Sequence, residues 1–258
     1  MNKLDIYDTL NRSYFSDEMD EKEVIQHLPV LLKTAKTFVD IGASLGQYTY
    51  FANQIMNEAE IVAIEADPIR AEKLDSNCKK WAAFSTNKLR CLHGAVSDVD
   101  GGVHFFSTNS NVSGGLFKHE LNHLNDEKKK NVRWTEHKVD SYTLDKLFPK
   151  TPPDCIKIDV EGSELRVLLG SQRILKMGHA IFLIEIHNWS DPKGQRNAKD
   201  VFQYLKKFGY RHYNFYGKPL FVANLWKKLP LFWFKLVLTK IFTIPKRLSV
   251  RIKKLFPV

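Results

Sequence analysis

A chain of 258 residues, 43% hydrophobic and 26% charged, is long enough and apolar enough to bury one large core. The net charge of +10 does not mark the whole protein as basic: 13 of the 39 Lys/Arg follow residue 200, where Asp and Glu are absent, and the first 200 residues carry 26 basic against 29 acidic side chains. The widely spaced Cys78, Cys91 and Cys155 exclude a disulfide framework and a thiolate metal centre, and with no apolar run after Met1-Asn2-Lys3-Leu4-Asp5 they point to reduced thiols in a cytoplasmic protein.

Residues 1–36 read as a helical segment, with "DEKEVIQHLPVLLKTAK" placing acidic residues early and apolar ones at helical spacing. Strands and helices then alternate. Thr37–Ile41 reads as a short buried strand, Gln47–Met56 as a helix and "EIVAIEAD" as a second strand. Pro68 opens a helix to about Trp81, because a first helical turn leaves that N–H without a partner in any case. "LRCLHGAV" is a third strand, "GGVHFFSTNSNVSGGLF" a hairpin with a polar loop, and "NDEKKKNV" a charged surface turn. "DCIKIDV" is a fourth strand, followed by a helix from near Ser163, and "AIFLIEIH" is a fifth. A helix over Ala198–Phe208 leads to "YRHYNFY" and "PLFVAN", a terminal strand pair. Nearly all-apolar strands, each followed by a helix, call for a parallel sheet covered on both faces. Right-handed crossovers then give a doubly wound α/β domain over residues 37–224.

Ligands of such sheets sit beyond the C-terminal ends of the strands. Three carboxylates belong to that layer: Asp40, Glu65 and Asp159. The turn Asp40-Ile41-Gly42-Ala43-Ser44-Leu45-Gly46 lacks the middle glycine of a dinucleotide fingerprint, and Asp40 would repel a pyrophosphate. No Lys-Ser/Thr follows Gly46, which excludes a phosphate-binding Walker loop. A cationic ligand without phosphate fits better. Asp40 can meet an ammonium group, Gly42 and Gly46 allow close backbone approach, and Glu65, nineteen residues after Gly46, can accept from both hydroxyls of a ribose. S-adenosylmethionine, with its adenosine, amino acid and sulfonium, meets these demands. A nucleotide-binding dehydrogenase and a non-catalytic binding module are the competing readings.

"FVDIGASLGQYTYFA", "IVAIEADP", "HGAVSDVDG", "VDSYTLDKL" and "IKIDVEGSELRVLLGSQRIL…FLIEIH" follow one another in an order and spacing that resembles the FkbM-type methyltransferases over about residues 37–215. "KIDVEGSE" is the most specific of these blocks. The resemblance implies a class I, Rossmann-like, S-adenosylmethionine-dependent fold with a seven-stranded sheet. It implies methylation of hydroxyl groups, on sugars of surface glycans or their precursors, or on polyketide-like or lipid small molecules. It also implies that Asp40, Gly42, Ala43, Ser44 and Gly46 frame the methionine end of the cofactor. Glu65, with Ala66 beside it, then binds the ribose, and Ala95, Val96, Ser97 and Asp98 meet the adenine edge. His93 departs from the small polar residue that relatives often carry there.

Methyl transfer is an in-line displacement that needs the acceptor about 3 Å from the methyl carbon. A sugar hydroxyl needs a base or a metal to act as nucleophile near neutral pH. Strand alternation puts Lys157, Asp159 and Glu161 on one side of the fourth strand, where Lys157 must find a carboxylate partner. Glu164 falls in the first turn of the next helix, where a carboxylate suits the dipole. Glu185 and His187 share one side of the fifth strand, and His187 is the expected general base, with Asp159 or Glu161 as the alternative. A third option is a divalent cation, Mg or Mn, on Asp159, Glu161, Glu185 and His187, although no spacing specifies one. "STNSNVSGGLF" and "RWTEHK" are expected to wall the acceptor pocket, with Trp134 and Trp189 either stacking on a sugar ring or packing as ordinary aromatics.

Residues 225–258 mix Leu, Phe, Trp and Ile with nine Lys/Arg, and Pro230, Lys235 and Lys240 interrupt the apolar runs. They fall short of a membrane span of ~20 residues. They read as an amphipathic segment for an anionic membrane surface, so the expected location is cytoplasmic with peripheral attachment to the inner face. Packing on the domain or on a second subunit is the alternative, and a nucleic-acid arm would be more polar. Nothing in the sequence sets an oligomeric state.

Overall fold

Strands as apolar as Thr37–Ile41 and Cys155–Ile158 cannot leave either face in water. A computed structural model, which describes residues 22–109, 114–116, 132–187, 198–215 and 218–223, shows how both faces are covered. Residues 1–21, most of the charged turn, Trp189 and the basic tail lie outside the described residues. The chain runs α1 (Lys22–Leu32), β1 (Thr37–Ile41), α2 (Gln47–Ile55), β2 (Glu60–Glu65), α3 (Pro68–Ala82), β3 (Lys88–His93), β4 (Ala95–Val96), β5 (Gly101–Thr108), β6 (Trp134–Tyr142), α4 (Leu144–Leu147), β7 (Cys155–Ile158), α5 (Glu164–Leu169), α6 (Gln172–Met177), β8 (Ile181–Ile184), α7 (Ala198–Lys207), β9 (Tyr210–Phe215) and β10 (Lys218–Ala223).

Seven strands form one sheet in the order β3-β2-β1-β7-β8-β10-β9. β3, β2, β1, β7 and β8 are parallel neighbours, and β10 lies antiparallel to both β8 and β9. Strand periodicity sorts the core. Phe38, Ile61, Ala63 and Cys155 face α1, α2 and α3, burying Leu28, Phe51 and Leu74. Val39, Ile41, Ile156 and Ile158 face the other way, onto Leu144, Val167, Leu175 and Leu205 of α4 to α7. The order of connection reverses between β1 and β7, and a crevice opens there beyond the strand ends. Among the described residues no helix is long and apolar enough to cross a membrane.

Two expectations change. The third strand ends at His93, and the chain leaves the large sheet at Gly94, where a Cβ would meet Tyr142 Cε2 at 2.8 Å and the Asp140 carbonyl oxygen at 2.9 Å. Ala95–Val96 then belongs to a second sheet of order β4-β6-β5. Of the hairpin expected within residues 101–117, the described residues show a bridge between Phe106 and Gly115. The main partner of β5 is β6, antiparallel from Gly101↔Ser141 to Thr108↔Trp134. β6 buries only Val139 and Ser141, so its sequence carries little of the alternation that marks a strand.

Candidate active site

The crevice at the β1/β7 reversal is a partly open cleft with about 220 Å³ of accessible space. Its floor is the glycine turn after β1, contributing Gly42 and Ser44. Glu65, Ala66 and Arg70 form one wall, at the end of β2 and the start of α3. Gly94 to Val96 with Phe105 and Gly114 to Leu116 of the small sheet form the roof, and Asp159 to Glu161 with Ser163 close the far side.

Local backbone demands explain the turn. Gly42 has φ +73°, and a Cβ there would lie 1.7 Å from the Asp159 carbonyl oxygen, so only glycine lets the turn pass this close to the end of β7. Gly42 N–H and Ala43 N–H both donate to the Ile64 carbonyl, which joins the turn to β2. Ser44 and Glu161, two non-glycine residues of the cleft, have φ of +52° and +51°. A left-handed backbone at such residues costs about 1–2 kcal/mol, and strain of this kind collects at functional sites.

Glu65 is held from both sides. Oε2 accepts from Ser44 N–H at 2.7 Å and Oε1 from Asp67 N–H at 2.8 Å. The remaining lone pair of each oxygen stays free of backbone, in a residue lining the cleft. Burial pushes the carboxyl's pKa up, against the pull of the Asp67 and Ser44 amides and the Arg70 charge. Asp67 in turn caps α3, accepting from Ile69 N–H and Arg70 N–H.

Several expected cofactor residues lie away from the cleft. Asp40 is not among the cleft-lining residues. It is fully buried on the α2 side of β1, accepts from Thr49 N–H at 3.0 Å and Thr49 Oγ1 at 2.7 Å, and faces Lys157 Nζ at 3.8 Å. Ala43 is buried against the core, and a Cβ on Gly46 would meet Leu74 at 2.7 Å and Trp81 at 2.9 Å, so both positions serve packing. Ser97 is buried beneath Gly170 and donates to Asp98, and Asp98 pairs with Arg166 at 3.4 Å. His93 is exposed, outside the cleft lining. Gly42, Ser44, Glu65, Ala66, Ala95 and Val96 do line it.

The far side carries the acid–base groups. Lys157 lies 4.5 Å from the Tyr48 ring centroid and joins the buried Asp40 to the cleft, bonding Asp159 Oδ2 at 3.0 Å. His187 Nδ1 is 2.9 Å from Glu164 Oε1, and its Nε2 lies 3.4 Å from Glu161 Oε2, 3.9 Å from Asp159 Oδ1 and 4.0 Å from Glu185 Oε1. Glu164 is 2% exposed and also accepts from Gly162 N–H, so it anchors the imidazole rather than only complementing a helix dipole. Burial alone would lower the imidazole pKa. The Glu164 hydrogen bond and the charges of Glu161, Glu164 and Asp159 reverse this and hold it at about 9. The expected general base is therefore a cation at neutral pH when only these side chains surround it. Glu161 reaches the cluster through the left-handed turn after β7, not through strand alternation. Glu185 is drawn aside by Lys218 Nζ at 2.5 Å.

The Methyltransferase FkbM domain model matches residues 40–212 of this sequence. The chain belongs to the FkbM methyltransferase family. Seven of its strands form the mostly parallel sheet, doubly wound between helices, that the sequence predicts. Among solved structures, an FkbM methyltransferase from Methylobacillus flagellatus KT is 15% identical with a TM-score of 0.46, covering 84% of this chain, which spans 58% of that protein. An O-methyltransferase from Bacillus cereus, solved with S-adenosylhomocysteine, is 12% identical with a TM-score of 0.41 over 84% of this chain and 86% of that one. A methyltransferase from Geobacter sulfurreducens is 11% identical with a TM-score of 0.44 over 86% and 88%. No curated protein matches the sequence.

Within the FkbM domain, sequence reasoning passed over Arg70 and Phe105 and undervalued Glu164. Phe105 is on the buried face of β5, a signal that alternation carries. Arg70 follows the Asp67 cap by three residues, and nothing in the sequence aims it at a ligand.

Proposed function

We propose that this methyltransferase uses S-adenosylmethionine and transfers its methyl group to a hydroxyl oxygen, the acceptor being a sugar of a glycan or glycan precursor. The observation that carries this reading is the arrangement of the cleft. Glu65, anchored by two backbone amides, presents free lone pairs on one wall, and Asp159 and Glu161 line the opposite side with His187 outside the lining but within 4 Å of both. The first wall suits a ribose diol, because an ionised carboxylate accepts two hydroxyl donors in charge-assisted bonds. Ala66, Ala95 and Val96, which line the cleft, offer apolar side chains for adenine to pack on. The far side supplies negative charge for the ammonium and sulfonium and a carboxylate for the acceptor.

In the reaction the acceptor O–H gives its proton to a carboxylate of the far cluster. The oxygen forms a bond to the methyl carbon while the carbon–sulfur bond breaks, and that bond's electron pair stays on sulfur, giving a neutral thioether. The chain's contribution is alignment and field: the left-handed backbones of Ser44 and Glu161 fix the two ends of the cleft that must stay in line. The experiment is an assay of methyl transfer from labelled cofactor to a panel of sugars and glycan precursors. Label in a base-stable methyl ether supports O-methylation, and label in nitrogen- or carbon-linked product contradicts it.

A further inference from the structure

We infer that Asp159, Glu161 and His187 bind one divalent cation of the Mg or Mn class at the acceptor end of the cleft. The role of that ion in catalysis rests on the methyltransferase reading above, but its binding does not.

One ligand atom from each of the three residues lies within 4.8 Å of the others. Octahedral ligands about 2.1 Å from an ion sit roughly 3–4.2 Å apart. The distances of 3.4 Å and 3.9 Å from His187 Nε2 to Glu161 and Asp159 fall inside that window. The imidazole is also held in a ligand's orientation. Glu164, buried and fixed by Gly162 N–H, takes Nδ1, and this turns Nε2 toward the other two carboxylates. A carboxylate behind the distal nitrogen is the usual way a protein orients a metal-binding histidine.

The charges point the same way. Four carboxylates, from Asp159, Glu161, Glu164 and Glu185, lie within 4.0 Å of one imidazole. Lys157 is shared between Asp159 and Asp40, and Lys218 bonds Glu185, so among the described residues carboxylates outnumber cations around this imidazole. The Lys218 contact also removes Glu185 from the ligand set, leaving two carboxylates and one imidazole. Hard oxygen donors with a single nitrogen suit Mg or Mn and leave coordination positions for water and an acceptor oxygen. Asp159 and Glu161 line the cleft, so those positions open toward the substrate. An ion there would draw an acceptor hydroxyl to this end and acidify its proton.

The test uses the full chain stripped with EDTA and titrated with MnCl2, reading free Mn by its paramagnetic resonance signal. One Mn per chain is expected, displaced by excess Mg. Glu161→Gln, which keeps the turn backbone, should remove the site. Glu164→Gln should weaken it about 10-fold to 100-fold by releasing His187, while Glu185→Gln should weaken it less than Glu161→Gln does, because Lys218 holds that carboxylate and it is not a ligand. Wild type that takes up no more Mn than Glu161→Gln overturns the inference, as does an equal loss in Glu185→Gln. Thermal melts confirm that each variant is folded, and if Glu164→Gln does not fold, Glu161→Gln decides. Calorimetry with S-adenosylhomocysteine on the same samples separates the two readings. Mn uptake without cofactor binding sinks the methyltransferase chemistry and keeps the ion site, and the converse does the opposite.

Discussion

Replacing Gly42 with alanine tests whether the cleft depends on two strand ends approaching closer than any side chain allows. The new Cβ would lie 1.7 Å from the Asp159 carbonyl oxygen, where real contacts are not under 3.0 Å, so the turn and the end of β7 must part by ~1.3 Å. That movement breaks the hydrogen bond from Asp159 N–H to the Ile41 carbonyl, now 3.0 Å, at a cost of about 1 kcal/mol. The left-handed φ of +73° adds about 1–2 kcal/mol for a residue with a Cβ. The sum, about 2–3 kcal/mol before any repacking, corresponds to a fall in melting temperature of roughly 4–12 °C for a domain of this size. Gly101→Ala is the control, because Gly101 has φ +117° and nothing within 4 Å of a new Cβ. It should show backbone strain alone, about 1–3 kcal/mol, and leave cofactor affinity unchanged. Circular dichroism melts and S-adenosylhomocysteine calorimetry on both variants decide the matter. Gly42→Ala should be the less stable of the two and bind at least about tenfold more weakly, since it moves Asp159 and the floor of the cleft together. Equal affinities in the two variants would refute the close-approach argument.

Other substitutions probe separate parts of the molecule. Glu65→Gln removes a charge-assisted acceptor and should weaken S-adenosylhomocysteine binding on the order of 10-fold to 100-fold by calorimetry. Because burial raises the Glu65 pKa above its ordinary 4.5, wild-type binding should fade as pH falls, starting at a higher pH than an unperturbed glutamate would give. Glu65→Gln should lose that dependence. Lys157→Met strands the buried Asp40 and should cost about 3–5 kcal/mol in urea unfolding, with part recovered when Asp40→Asn is added. Asn87→Ala cuts the bonds from its amide to the Asn53 and Met56 carbonyls and from Ala59 N–H. It should lower stability by about 2–3 kcal/mol with no change in cofactor affinity, since it sits at the opposite ends of the strands from the cleft.

The doubly wound sheet was legible because its strands are short apolar runs punctuated by Gly42, Pro68 and Gly162, and its helices start on cues such as Asp67-Pro68. β6 was not, because a strand lying across a small sheet at the surface buries two residues and reads as a polar segment. Glu65 and Ser44 were legible as cleft residues, since a strand end and a glycine turn have fixed places in this architecture. Asp40 was misplaced although alternation held the answer: it shares a face with Phe38, which packs under α1 and α2, so its carboxylate turns inward to Thr49 and Lys157. The imidazole cage could not be read along the chain. Glu161 and Glu164 flank a left-handed turn, and only their distances to His187 show that one faces it across the cleft edge and the other holds it from behind.

The central claim is that the cleft between β1 and β7 holds S-adenosylmethionine, with Glu65 on its ribose. Calorimetric titration of the full chain with S-adenosylhomocysteine tests it most directly. The account predicts one site per chain with micromolar affinity, weakened by Glu65→Gln and unchanged by Asn87→Ala. Absence of heat and of competition at high protein concentration, with the fold intact by circular dichroism, would contradict it.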